Sequence, residues 1–148
     1  MKLDPKQLRT QCRLTEFQRP MDNLRLAQKL FQLMIQERGI GLAANQAGLD
    51  SRVFVMFVDS EAFHCFNPEI ISVSDEQESM QEGCLSFPGE TCPVTRPKTI
   101  LARFANARGQ YQEREFTGMA ARCFQHELDH LNGITMHDRI SETDNAQA

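Results

Sequence analysis

The stretch Gly118-Met119-Ala120-Ala121-Arg122-Cys123-Phe124-Gln125-His126-Glu127-Leu128-Asp129-His130-Leu131 decides how the rest of the chain must be arranged. Met119, Ala120, Cys123, Phe124 and Leu131 mark one apolar side at helical spacing. Thr117 stands where a helix cap belongs and Asn132-Gly133 where a helix closes, so a helix is expected over residues 118–131. His126 and His130 are four residues apart, which places them on one helical face, one turn apart. Two imidazoles can then meet one metal ion. Glu127 follows the first histidine directly and can take a proton from water on the open side of that ion. The same pattern also arises in chains that bind no metal, where His126 would be an ordinary core histidine. A third ligand separates the two readings.

Cys84 is the candidate. It lies in Gln81-Glu82-Gly83-Cys84-Leu85-Ser86-Phe87-Pro88-Gly89, a glycine-flanked segment expected to be extended. One thiolate and two imidazoles leave a fourth position open, as catalytic sites require, and make a borderline-soft site for Zn²⁺ or Fe²⁺. Cys12, Cys65, Cys92 and Cys123 lack such a setting and read as small buried hydrophobes. His64, beside Cys65, and His137 read as structural.

Working outward, Leu24, Ala27, Leu30, Phe31 and Met34 predict a second helix over residues 22–37, opened by Pro20 or Asp22 and capped by Gly39. Gly39-Ile40-Gly41-Leu42-Ala43-Ala44-Asn45-Gln46 is small enough to let backbone or ligand approach closely. Residues 53–58 read as a buried strand, 66–73 as an extended segment, and 98–104 and 111–116 as a strand pair joined by a turn. The expected class is α+β, with short antiparallel strands packed around a central helix carrying H-E-x-x-H. One catalytic domain is expected over residues 1–148, with a flexible polar tail over 141–148.

The 148 residues are 41% hydrophobic and 24% charged, with net charge −4. That is a soluble globular balance without the basic block of a nucleic-acid binder. No apolar run reaches membrane length, and from Met1-Lys2-Leu3-Asp4-Pro5 no secretory leader is expected. Five widely spaced cysteines argue for free thiols and a reducing cytoplasm rather than a disulfide framework.

In their order and separations, Gly39-Ile40-Gly41-Leu42-Ala43-Ala44-Asn45-Gln46, Glu82-Gly83-Cys84-Leu85-Ser86 and His126-Glu127-Leu128-Asp129-His130 resemble the three signature motifs of peptide deformylases. Asp4-Pro5 with Leu8-Arg9 is similar to the family's N-terminal segment. The resemblance implies hydrolysis of the formyl group from N-formylmethionine on nascent chains, releasing formate. It implies Cys84, His126 and His130 as ligands of one divalent metal, natively Fe²⁺, with Zn²⁺, Ni²⁺ or Co²⁺ able to substitute. Glu127 would be the general base and then the general acid. The Gln46 amide and the Leu85 N–H would form the oxyanion hole, where each donor is worth roughly 3 kcal/mol.

Methionine needs a flexible apolar slot, for which Ile40, Met80, Met119 and Cys123 are the expected walls. The peptide main chain is expected to run along Gly39-Ile40-Gly41 and Glu82-Gly83 as an added strand. Glu82 and Arg96 are expected to pair near the site, with Asp129 as an anchor behind the ligands. Arg122 has two readings: it rims the pocket and favours an acceptor beyond the methionine, or its stem covers apolar surface while its head stays wet. The wet head is the favoured reading.

With 18 residues after His130, the chain resembles a shortened form without the long C-terminal helix, as in viral members. Its acidic tail argues against docking to ribosomal RNA, leaving only transient ribosome proximity. A monomer is expected, in the cytoplasm, or in the host's if a virus encodes it. Three competing readings stay open: an H-E-x-x-H peptidase, a module that binds metal or formyl-peptide without turnover, and a structural metal domain.

Overall fold

A computed structural model describes residues 1–140; the expected tail at 141–148 lies outside the described residues. The elements are α1 (Pro20–Gln36), β1 (Gly41–Ala43), β2 (Val53–Val58), β3 (Glu61–Val73), β4 (Gln77–Gly83), β5 (Thr91–Pro97), β6 (Thr99–Ala105), β7 (Tyr111–Thr117) and α2 (Gly118–Leu131). Three short 3-10 turns, Pro5–Gln7, Ala44–Gln46 and Met136–Arg139, join them. One antiparallel sheet has the order β1-β2-β3-β6-β7, and β4 pairs with β5 in a separate hairpin. This is the expected α+β architecture, with α2 between the large sheet and the hairpin.

The uninterrupted apolar run of β2 has a packing cause. Phe54 and Met56 enter a core with Ala120, Cys123, Phe124 and Leu131 of α2. Val53 and Val55 enter a second core with Ala27, Leu30, Leu33 and Met34 of α1. A strand covered on both faces carries no polar alternation, whether its neighbours run parallel or antiparallel. Fully buried Leu30 and Met34 each contribute about 2 kcal/mol of transfer free energy.

Several expectations are corrected in detail. Helix α1 ends in a Schellman turn whose left-handed residue is Arg38 (φ 62), not Gly39. The Arg38 N–H donates to Ile35 O (3.0 Å) and the Gly39 N–H to Met34 O (2.9 Å). Glycine at 39 answers a different need: a Cβ there would lie 2.5 Å from Leu85 Cδ1. Thr117 makes no side-chain cap to α2; its hydroxyl lies 2.9 Å from that of Thr99 on the neighbouring strand. At the other end, Gly133 (φ 74) closes α2 as expected.

The segment starting at Phe66 is the second half of the 13-residue β3. Its first half pairs with β2 through the turn Asp59-Ser60, both with positive φ, a tight hairpin without glycine. Residues 81–89 are not extended throughout. Strand β4 stops at Gly83, and a turn follows in which the Phe87 N–H donates to Cys84 O (3.0 Å).

Candidate metal centre and active site

Two elements bring three candidate ligands to one place. Cys84 leaves the end of β4, and His126 and His130 stand on α2. One donor atom from each of Cys84, His126 and His130 lies within 4.8 Å of the others. Cys84 Sγ is 3.2 Å from His130 Nε2. His126 gives its other nitrogen, Nδ1, to Glu82 Oε1 at 2.8 Å, which fixes the ring and leaves Nε2 for the cluster.

The two imidazoles sit in opposite electrostatic settings. Burial opposes charge on His126, yet its contacts with Cys84 and Glu82 outweigh that and hold its imidazole at about 10. Burial, then the neighbouring His126, pushes His130 down to about 3, so it is a neutral donor with a free lone pair. His130 Nδ1 is a buried atom without a hydrogen-bond partner among the described residues. A thiol and two imidazoles whose donor atoms converge fit a divalent metal.

Glu127 lies beside this group at the wall of a cavity of about 630 Å³. Burial pushes its carboxyl up to about 7, against the opposing pull of His126. Its Oε1 has no hydrogen-bond partner among the described residues and is available to accept a proton. Gln46, at the end of the turn Ala44–Gln46, is held from both ends of its amide. Its Oε1 accepts from the Ala43 N–H (2.9 Å), while Nε2 donates to Ser86 Oγ (3.1 Å) and Cys84 Sγ (3.4 Å). Leu85 packs its side chain into the α1 core, which anchors the backbone next to Cys84.

Gly39, Ile40, Gly41, Met80, Glu82, Gly83, Met119, Arg122 and Cys123 all line the same cavity. Ile40 and Met119 are about half exposed at its rim, whereas Cys123 is buried with its thiol against Ile40 O (3.8 Å). The wet-headed reading of Arg122 is overturned. Arg122 is buried (6% exposed), and its guanidinium donates to Glu82 Oε2 (2.7 Å), Val94 O (2.8 Å) and Glu78 O (2.6 Å). A neighbouring carboxylate and two carbonyls satisfy it in place of water.

Behind the ligands runs a buried ion network. Arg96 grips Glu82 with two hydrogen bonds (2.6 and 3.0 Å) and reaches Asp129 (2.9 Å). Asp129 also holds Arg139. His64 packs edge-on against Phe31, and His137 pairs with Glu90, so neither joins the cluster. The sequence reading missed two residues. Ser86 holds the Gln46 amide, and Asn45 Nδ2 donates to His130 O, pinning the last turn of α2. Both lie inside segments already singled out, but neither position follows a periodicity that would mark it.

The family model for polypeptide deformylase matches residues 1–146. The chain belongs to the polypeptide deformylase family. A peptide deformylase of Thermotoga sp. is 46% identical over 121 residues, covering 81% of this chain and 74% of that protein. The crystal structure of peptide deformylase from Thermotoga maritima superposes with a TM-score of 0.88 at 39% identity, covering 95% of both chains. Plasmodium falciparum peptide deformylase, solved with an inhibitor, gives 0.86 at 32% identity over 97% of this chain and 90% of that one. Members are metal-dependent hydrolases, and the deformylase fold accounts for the α+β arrangement of strands around α2. No helix among the described residues is long and apolar enough to cross a membrane.

Proposed function

We infer that this chain's removal of the N-formyl group from nascent polypeptides, with release of formate, is carried by Glu127, Gln46 and Leu85 beside a metal held by Cys84, His126 and His130. The observation that carries this reading is the convergence of the three donor atoms next to a buried, unpartnered carboxylate oxygen at the cavity wall. A divalent ion bound there supplies Lewis-acid polarisation of the formyl oxygen and makes water more acidic. We assign Fe²⁺ as the native metal; the donor set also suits Zn²⁺, Ni²⁺ and Co²⁺.

Glu127 takes a proton from the attacking water and delivers it to the departing amine as the C–N bond breaks. The Gln46 amide and the Leu85 N–H donate to the oxygen that turns anionic as the carbonyl becomes tetrahedral. Ala43 and Ser86 hold Gln46 in place, and the amide hydrogen on Cys84 Sγ is the one that turns to that oxygen when its charge appears. Ile40, Met80, Met119, Cys123 and the stem of Arg122 receive the methionine side chain. The peptide main chain runs between residues 39–41 and 82–83. The chain works as one catalytic domain, as a monomer in the cytoplasm, in transient proximity to the ribosome.

The test is formate release from formyl-Met-Ala-Ser by protein loaded with Fe²⁺ without oxygen. Glu127→Gln is expected to lower kcat by about 10²–10⁴-fold with metal content unchanged. Wild-type-like activity in that variant would remove Glu127 as the proton carrier. No formate from a fully loaded wild type would overturn the reaction, and cleavage of unformylated peptides would point to a peptidase instead.

A further inference from the structure

Arg122 carries a buried charge, and its guanidinium takes no step in the chemistry above. It stands on α2 four residues before His126 and so shares a helical face with that ligand. Its three hydrogen bonds all cross to the other ligand-bearing unit, the β4–β5 hairpin. Glu82 and Glu78 O belong to β4, and Val94 O belongs to β5. Strand β4 ends one residue before Cys84, which opens the connection to β5. Arg122 therefore staples the helix carrying His126 and His130 to the strand that delivers Cys84.

It also completes the seating of Glu82. That carboxylate has about four acceptor positions, and four donors are placed on it. Arg96 Nε and Arg122 Nη1 reach Oε2, while Arg96 Nη2 and His126 Nδ1 reach Oε1. Arg96 grips both oxygens from one side. Arg122 is the second donor on Oε2, and without it the carboxylate is free to pivot about the Arg96 fork, carrying with it the oxygen that orients His126.

We propose that Arg122 is a positioning residue for the metal centre, holding Glu82 against His126 and fixing the hairpin that carries Cys84 relative to α2. This rests on the ligand assignment above, so the experiment tests the two separately. Co²⁺ serves as the probe. In the wild type it should give thiolate-to-metal charge-transfer absorption and tetrahedral d–d bands. If Cys84→Ser leaves that spectrum unchanged, the ligand assignment fails and the inference with it.

With the assignment intact, Arg122→Met keeps the stem but removes the donors. It is expected to release Co²⁺ to a chelator about tenfold faster, with altered d–d bands. Arg122→Lys should recover part of the loss. The release rate of Arg122→Met/Glu82→Gln should be no faster than that of Glu82→Gln alone, because both changes break the same support. Release at the wild-type rate with an unchanged spectrum in folded Arg122→Met would overturn the proposal, as would additive effects in the double variant. A loss of melting temperature with the metal spectrum and release rate preserved would do so too, by reducing Arg122 to a packing role. Should Arg122→Met fail to fold, Arg122→Gln is read by the same criteria.

Discussion

Gly41 leaves no room for a side chain. A Cβ there would stand 2.7 Å from both Cys123 Sγ and Glu127 Oε2, contacts that real Cβ atoms do not make. Its value to the site is emptiness beside the carboxylate. Gly41→Ala must push Glu127 or the β1 backbone aside, and an ångström of misplacement at a reacting group costs about a hundredfold in rate. We expect kcat/KM for formyl-Met-Ala-Ser to fall by about that factor while the protein still takes up one metal. An unchanged rate would show that Glu127 can retreat without leaving its working position. The sequence marked the stretch 39–46 as rich in small residues but could not say which neighbour each glycine serves. Gly39 looked like a helix cap. Its actual constraint is Leu85, 46 positions further along the chain, and no local pattern encodes such a contact.

At the scale of elements, α2 was legible because its signals are local: apolar residues at helical spacing, Gly133 at the end, and two histidines one turn apart. Its core side is built from ring contacts. Phe124 is fully buried, edge-on to Phe54 (5.0 Å between centroids) and stacked near Phe116 (5.5 Å). Phe124→Ala should cost about 3–5 kcal/mol and lower the melting temperature by on the order of 10 °C, measured by circular dichroism. A drop of only a degree or two would mean that the sheet closes over the gap.

The β4–β5 hairpin was not legible. Two prolines, Pro93 and Pro97, sit in β5, and seven residues separate the strands, so neither a tight turn nor an alternating apolar pattern announces the pair. What holds it is tertiary: Arg96 of β5 reaches Asp129 of α2, and Arg122 of α2 reaches Glu82 of β4. The same cause hid the burial of Arg122. An arginine reads as surface unless the partners that satisfy its guanidinium are known, and these lie 28 to 44 residues away.

Over the whole molecule, the ion network links stability to acid. Burial alone would raise the Glu82 carboxyl, but hydrogen bonds from His126, Arg96 and Arg122 outweigh it and hold the group well below its ordinary value of 4.5. A depressed carboxyl adds stability above its unfolded pKa and loses it as pH falls further. Glu82's share of the denaturant midpoint should therefore be constant from neutral pH down to about 4.5 and be lost below it, and Glu82→Gln should flatten the decline in that lower range. A midpoint that does not change between pH 5 and pH 3 would mean that the network carries no such linkage.

Metal and thiols give a second test at this scale, because the fold sorts the five cysteines by access. Cys12, Cys65, Cys92 and Cys123 are buried. Burial pushes all four thiols up, Cys65 and Cys123 well above their ordinary value, and the thiolate is the form that reacts. Cys84 alone is half-buried, at the cavity wall. Chelator-treated protein exposed to iodoacetamide should thus be alkylated at Cys84 and nowhere else, as read by peptide mass spectrometry. Reloading the metal should protect that residue, and the other four should react only after unfolding in guanidinium. Equal labelling of Cys84 with and without metal would remove it from the ligand set. Fast labelling of Cys92 in the chelated protein would carry a different meaning. Cys92 lies on β5 opposite Glu82, so its exposure would show the hairpin leaving α2 when the metal leaves, making the ion a structural link between the two units as well as a reagent.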